Sequence, residues 1–144
     1  MYIDFICPKN TVVSAEDPLV STFDAWENYD ILCDFYDSCP ECQSFPKEEY
    51  FAEGSQEKWT DYVIYEDGVI AARAGIWRCD DEQWEVAGVI TRPEYRGRGY
   101  AQRLVRHCIG VIHANGRDAI LTTHESNKAM INAAIKAGFV VQQA

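Results

Sequence analysis

The chain has 144 residues, 47% apolar and 25% charged, with a formal net charge of -10. This length and mix predict one globular domain with a core of its own. No apolar run reaches membrane-spanning length, the start MYIDFICPKN lacks the marks of a secretory signal, and the acidity argues against a nucleic-acid binder, so a cytoplasmic protein with reduced thiols is expected.

The charge is uneven. Residues 1–72 hold three basic and sixteen acidic side chains, a balance of -13, whereas residues 73–144 hold ten and seven, a balance of +3. An anionic ligand is therefore expected on the second half and a cationic one on the first.

In chain order, YIDFI alternates like a short strand. From Pro18 to Tyr36 the residues Leu19, Phe23, Trp26, Ile31 and Phe35 recur at helical spacing. SCPECQSFP breaks that pattern, and PKEEYFAEG reads as a short helix. WTDYVIYEDGVIAARAGIW gives two strands around the hairpin signal Asp67-Gly68, and QWEVAGVIT a third, antiparallel in sequence. GYAQRLVRHCIGVIHANG is helical, DAILTTH is a buried strand, and SNKAMINAAIKAG is a helix with Ser126 or Asn127 as its N-cap. FVV begins a last strand. The order predicts an α/β or α+β domain with a mixed sheet.

Residues 92–106, RPEYRGRGYAQRLVR, place five arginines and two glycines where a strand passes into a helix. Such a turn exposes unpaired N–H groups at the positive end of the helix dipole, and glycine lets an anion approach the backbone. Arg96 and Arg98 would add charge-assisted bonds. No Gly-Lys pair is present for a nucleotide P-loop, and GRGYAQ does not fit the dinucleotide pattern. The spacing that fits is R-x-x-G-x-A, at Arg96, Gly99 and Ala101.

VITRPEYRGRGYAQRLV, followed by NKAMINAAIKAGF, resembles the GNAT superfamily of acetyl-CoA-dependent N-acetyltransferases. The resemblance spans residues 89–139 and, more loosely, the hairpin from Trp59. It implies a single domain over residues 1–144, with a GNAT-like mixed central sheet whose two parallel strands splay apart between flanking helices. Residues 58–139 would form the acetyl-CoA-binding core. The unmatched residues 1–57 would lie on the acceptor side. The family pattern implies that Gly97, Arg98, Gly99, Tyr100, Ala101 and Gln102 hold the pyrophosphate. Val89, Ile90 and Thr91 would pair with the pantetheine arm, and Asn127 would contact that arm.

Glu85 lies eleven residues before Arg96, where some family members carry a catalytic glutamate, and is the expected base. In many members a tyrosine sits five residues before the phenylalanine of the Gly-Phe pair, and here that position is Ala134. Tyr100, His124 and Ser126 are the substitutes at hand for the acid, with His124 placed by the end of its strand. The acceptor expected is a small-molecule primary amine. A cationic one would suit the acids and aromatics of residues 19–51. The family usually adds two strands after the Gly-Phe pair, but only VVQQA remains. The N-terminal segment or a neighbouring subunit must complete the sheet, which suggests a homodimer. Two alternatives stand beside this reading: a non-catalytic acyl-CoA-binding relative, and a metal or redox module on Cys33, Cys39 and Cys42. The first reading needs no metal.

Overall fold

Seven short segments alternate or run apolar, and all seven join one sheet in the computed structural model, which describes residues 1–13, 17–42 and 55–142. The strands are β1 (Tyr2–Cys7), β2 (Val20–Phe23), β3 (Trp59–Glu66), β4 (Val69–Trp77), β5 (Gln83–Thr91), β6 (Asp118–His124) and β7 (Val140–Val141). The helices are α1 (Tyr29–Asp37), α2 (Tyr100–Ala114) and α3 (Lys128–Ala137), with a single helical turn at Ser55–Lys58. The sheet order is β2-β3-β4-β5-β6-β1-β7.

The β3–β4 hairpin turns on Asp67 and Gly68, both at positive φ (53° and 80°), the conformation that matches the twist of the flanking strands. β5 runs antiparallel to β4. It then pairs in parallel with β6 through only three positions, Gln83 with Asp118, Trp84 with Ala119 and Glu85 with Ile120. Beyond Glu85 the two strands part, as the resemblance implies, and a gap opens between their C-terminal ends.

Alternation along the strands builds two cores. Tyr62 and Ile64 of β3 face the side where α2 presents Leu104, Val105, Cys108, Ile109 and Ile112. Val63, between them, faces Leu32, Phe35 and Tyr36 of α1. Helix α2 is amphipathic with its buried residues at three- and four-residue steps, which is why this stretch reads as a helix from sequence.

One expectation changes. Residues 18–36 are not helical throughout: Val20–Phe23 is an edge strand antiparallel to β3, and the helix begins only at Tyr29. Asp17 accepts the N–H of Leu19, and Asp24 accepts that of Glu27, so turns at both ends isolate four residues that β3 recruits. Of the apolar residues at helical spacing, Phe23 and Phe35 are buried, but Leu19, Trp26 and Ile31 are exposed. Of the two routes expected to complete the sheet, the N-terminal segment is the one observed. β1 lies between β6 and β7, antiparallel to both. The helix expected over PKEEYFAEG lies outside the described residues. No disulfide joins the six cysteines.

Candidate functional site

The cradle is built by the end of β5, a 3-10 turn at Pro93–Tyr95, and the start of α2. Gly97 and Gly99 have φ of 83° and 80°, a region that L side chains rarely adopt. A Cβ on either would meet nothing within 4 Å, so the backbone angle rather than crowding demands glycine, and the space above the turn is open. Gly99 caps α2, and the first-turn N–H groups have no acceptor within the helix.

A cavity of about 420 Å³ lies over this turn. Gly97, Gly99, Tyr100, Ala101 and Gln102 form one wall, and Val89, Ile90 and Thr91 of β5 form another. The third wall is the start of α3, with Asn127, Met130 and Ala133. Asn127 caps that helix by accepting the Met130 N–H at 3.2 Å. The N-termini of α2 and α3 thus open on one cavity, and both dipoles favour an anion there.

The strand wall has a bulge. Gly75 pairs with Ala87 and Arg73 with Ile90, so one residue of β4 faces two of β5, Gly88 and Val89. The Arg92 N–H donates to Ala71 O at 2.8 Å. That register assigns the Ile90 N–H to the β4 ladder and turns the Thr91 N–H toward the gap. Ile90 therefore spends its N–H within the sheet and offers none to the gap.

The arginines are engaged by carboxylates. Arg96 donates to Thr91 O at 3.0 Å and pairs with Glu41 on the cavity rim. Arg98 pairs with Glu66 at 2.6 Å, lies over the Tyr95 ring, and is not among the cavity-lining residues. The Tyr100 hydroxyl donates to the same Glu66, and Tyr95 donates to Asp67 at 2.9 Å. The hairpin tip thereby braces the turn. These carboxylates hold the phenols of Tyr95 and Tyr100 protonated, above the ordinary range.

Glu85 sits at the last parallel pair, where the strands begin to part, outside the cavity wall. Its carboxyl is raised above the ordinary value, first by burial and then by Asp4. His124 ends β6, four residues or about 13 Å beyond Ile120, the partner of Glu85. Its Nδ1 meets Ser126 Oγ at 2.8 Å, its Nε2 meets the Met1 nitrogen at 3.0 Å, and Tyr2 packs against it edge-on. The two expected catalytic residues are thus not brought together. Ala134, on the core face of α3, is fully buried and does not line the cavity.

Sequence reasoning missed Glu41, Met130, Ala133 and Lys136 in the wall. Helical spacing from Asn127 points to the α3 residues; nothing local points to Glu41. Cys39 and Cys42 are both raised by burial, Cys42 to about 11, which suppresses their thiolates at neutral pH. Among the described residues no three His, Cys, Asp or Glu side chains converge to hold a metal, and no helix is long and apolar enough to cross a membrane.

Comparison with known proteins follows the same lines. No curated protein matches the sequence. A GNAT-family protein from Novosphingobium aromaticivorans superposes with a TM-score of 0.75 at 27% identity, over 99% of this chain and 61% of its own. An acetyltransferase of that family from Colwellia psychrerythraea gives 0.79 at 17% identity, over 97% and 52%. A GCN5-related N-acetyltransferase from Sphaerobacter thermophilus gives 0.70 at 18%, over 98% and 48%. The chain thus spans about half to three-fifths of the length of these structures. The family model of the GNAT acetyltransferases matches residues 25–139, which covers all three walls of the cavity, and the chain belongs to the acetyltransferase (GNAT) family.

Proposed function

We propose that the protein moves an acetyl group from acetyl-CoA to the primary amine of a small molecule by direct transfer. The observation that carries this reading is the meeting of two helix N-termini, two positive-φ glycines and a free strand edge around one cavity. A pyrophosphate fits the Gly97–Gly99 turn, and an amide-bearing arm fits beside Thr91. Acetyl-CoA supplies an activated thioester when bound. The chain's own part is to hold it, to orient an amine against its carbonyl carbon, and to move protons. Glu85, its carboxyl raised by burial, takes a proton from the acceptor ammonium, and the neutral amine then attacks. The C–N bond forms, the C–S bond breaks, and the thiolate leaves with a proton from His124, Ser126 or water, the Tyr100 hydroxyl being committed to Glu66. The strand-edge N–H of Val89 stabilises the developing oxyanion.

A ligand that binds only the native state raises its apparent stability, by about 2.7 kcal/mol at a hundredfold excess over Kd. Acetyl-CoA and CoA are expected to raise the melting temperature, and ATP and NAD are not. Gly99→Glu should abolish the shift, because it places a carboxylate at the cradle and a side chain at φ 80°. Gly99→Ala, whose Cβ meets open space, should only weaken it. An unshifted wild type would overturn the reading.

The buried Ala134, where many members carry tyrosine, favours a second reading: an acyl-CoA-binding protein without turnover. Cofactor-dependent stabilisation with no acetylation of any amine in a broad panel would select it.

A further inference from the structure

We propose that Arg73, which touches no reacting atom, polarises the peptide between Gly88 and Val89, and so strengthens the Val89 N–H as donor to the thioester carbonyl oxygen. This rests on the acyl-CoA reading above.

Arg73 stands in the middle of β4 and is 2% exposed. Its Nε and Nη2 donate to Asp61 Oδ1 at 2.8 and 2.5 Å, and its Nη1 donates to Gly88 O at 2.9 Å. The same Asp61 oxygen accepts Trp59 Nε1 at 2.9 Å, and the Trp59 ring lies 4.8 Å from the guanidinium. Two glycines make room for this assembly. A Cβ at Gly75 would lie 2.1 Å from the Trp59 ring, and one at Gly88 would lie 1.9 Å from Arg73 Nη1. Buried ion pairs of this kind are weak contributors to stability, since apolar replacements often do as well. Its placement gives it another use.

Gly88 is the bulge residue, at φ 61°. No peptide bond is cis, so the C=O and N–H of the 88–89 peptide point in opposite directions. With Gly88 O held by Arg73, the Val89 N–H is aimed away from Arg73, and Val89 lines the cavity. A charged donor on the carbonyl draws electron density through the amide and makes its N–H a stronger donor. Burial keeps solvent from weakening this charge-assisted bond, while Asp61 shares the charge of the guanidinium. A preorganised donor at a developing oxyanion is among the larger contributions an acyl-transfer site makes. Arg73 is thus a positioning residue that acts through one peptide plane.

The infrared band of [1-13C]acetyl-CoA reads this without any knowledge of the acceptor. Bound to the wild type, the thioester C=O stretch should move to lower frequency. In Asp61→Asn/Arg73→Gln, which removes both charges together, the band should return most of the way to its solution position. Acetyl-CoA affinity should stay within about threefold, and single-turnover transfer should fall about tenfold or more. Gly88→Ala, which expels Arg73 Nη1 from the carbonyl, should move the band the same way and serves if the double variant does not fold. A purely structural role would instead lower affinity and melting temperature and leave the band of the bound fraction in place. Binding with an unmoved band across the variants overturns this inference alone. Absence of binding to the wild type overturns the acyl-CoA reading, and this inference with it.

Discussion

At the residue scale two carboxylates stand in opposite surroundings. Glu85 is raised by burial and by Asp4, so its proton is held more tightly in the native state than in the unfolded chain. The stability it contributes is complete below the ordinary value of 4.5 and is lost as pH rises through the raised native value. Glu85→Gln does not titrate. Its melting temperature relative to wild type should therefore climb between pH 4.5 and neutrality, while acetyl transfer falls about a hundredfold, the usual contribution of a general base. A variant that keeps its rate within twofold removes Glu85 from the mechanism. Glu41 acts the other way. It occupies Arg96 on the rim of a cavity whose two helix N-termini favour an anion. Both side chains are about half exposed, so the pair is worth little, in the range of 0.2–1 kcal/mol. Glu41→Gln should tighten CoA binding by roughly two- to fivefold at low salt and less at high salt. Calorimetric titration at two ionic strengths checks it, and unchanged affinity would mean Arg96 serves the Thr91 carbonyl alone.

At the element scale α3 has a cap and a wall in one residue. Asn127 accepts the Met130 N–H and lines the cavity. Asn127→Ala should cost about 1 kcal/mol of stability, the ordinary loss of a cap. Asn127→Asp keeps the acceptor and should keep the stability, yet weaken acetyl-CoA binding by adding charge at the cavity wall. Thermal melts with and without ligand separate the two effects. Signals of this local kind were legible in the sequence: the Asp67-Gly68 turn, the glycine cradle, the helical face of residues 104–112, and the extent of β5. β2 was not legible, because four residues spaced like a helix carry too little periodicity to compete with the ladder β3 offers them. The slot of β1 between β6 and β7 was not legible either, since pairing across more than a hundred residues leaves no local trace. Two further signals were present but unread. Gly88 inside a strand marks a bulge, and Arg73 inside the apolar run of β4 needs a buried partner. The contact of Arg96 with Glu41, 55 residues apart, had no such marker.

At the scale of the whole molecule the unequal halves partly answer one another. Among the described residues, Asp17, Asp34, Glu41, Asp61 and Glu66 of the first half pair with Arg103, Arg92, Arg96, Arg73 and Arg98 of the second. The arginines that suggested a bare positive cradle are therefore largely neutralised from within. An anion bound at this turn would rely on backbone N–H groups and helix dipoles, which act at short range and are screened little by salt. Residues 1–72 still carry sixteen acids against three lysines. That excess attracts cations over distances comparable with the Debye length, about 10 Å at 0.1 M salt. The two substrates should then respond differently to ionic strength. Between about 20 and 200 mM salt, KM for a diamine acceptor should rise several-fold, while KM for acetyl-CoA changes by less than about twofold. A neutral-bodied monoamine of similar length should follow acetyl-CoA rather than the diamine. If the diamine and the monoamine show the same flat dependence, the acidic half serves solubility alone, and the acceptor is selected by shape instead of charge.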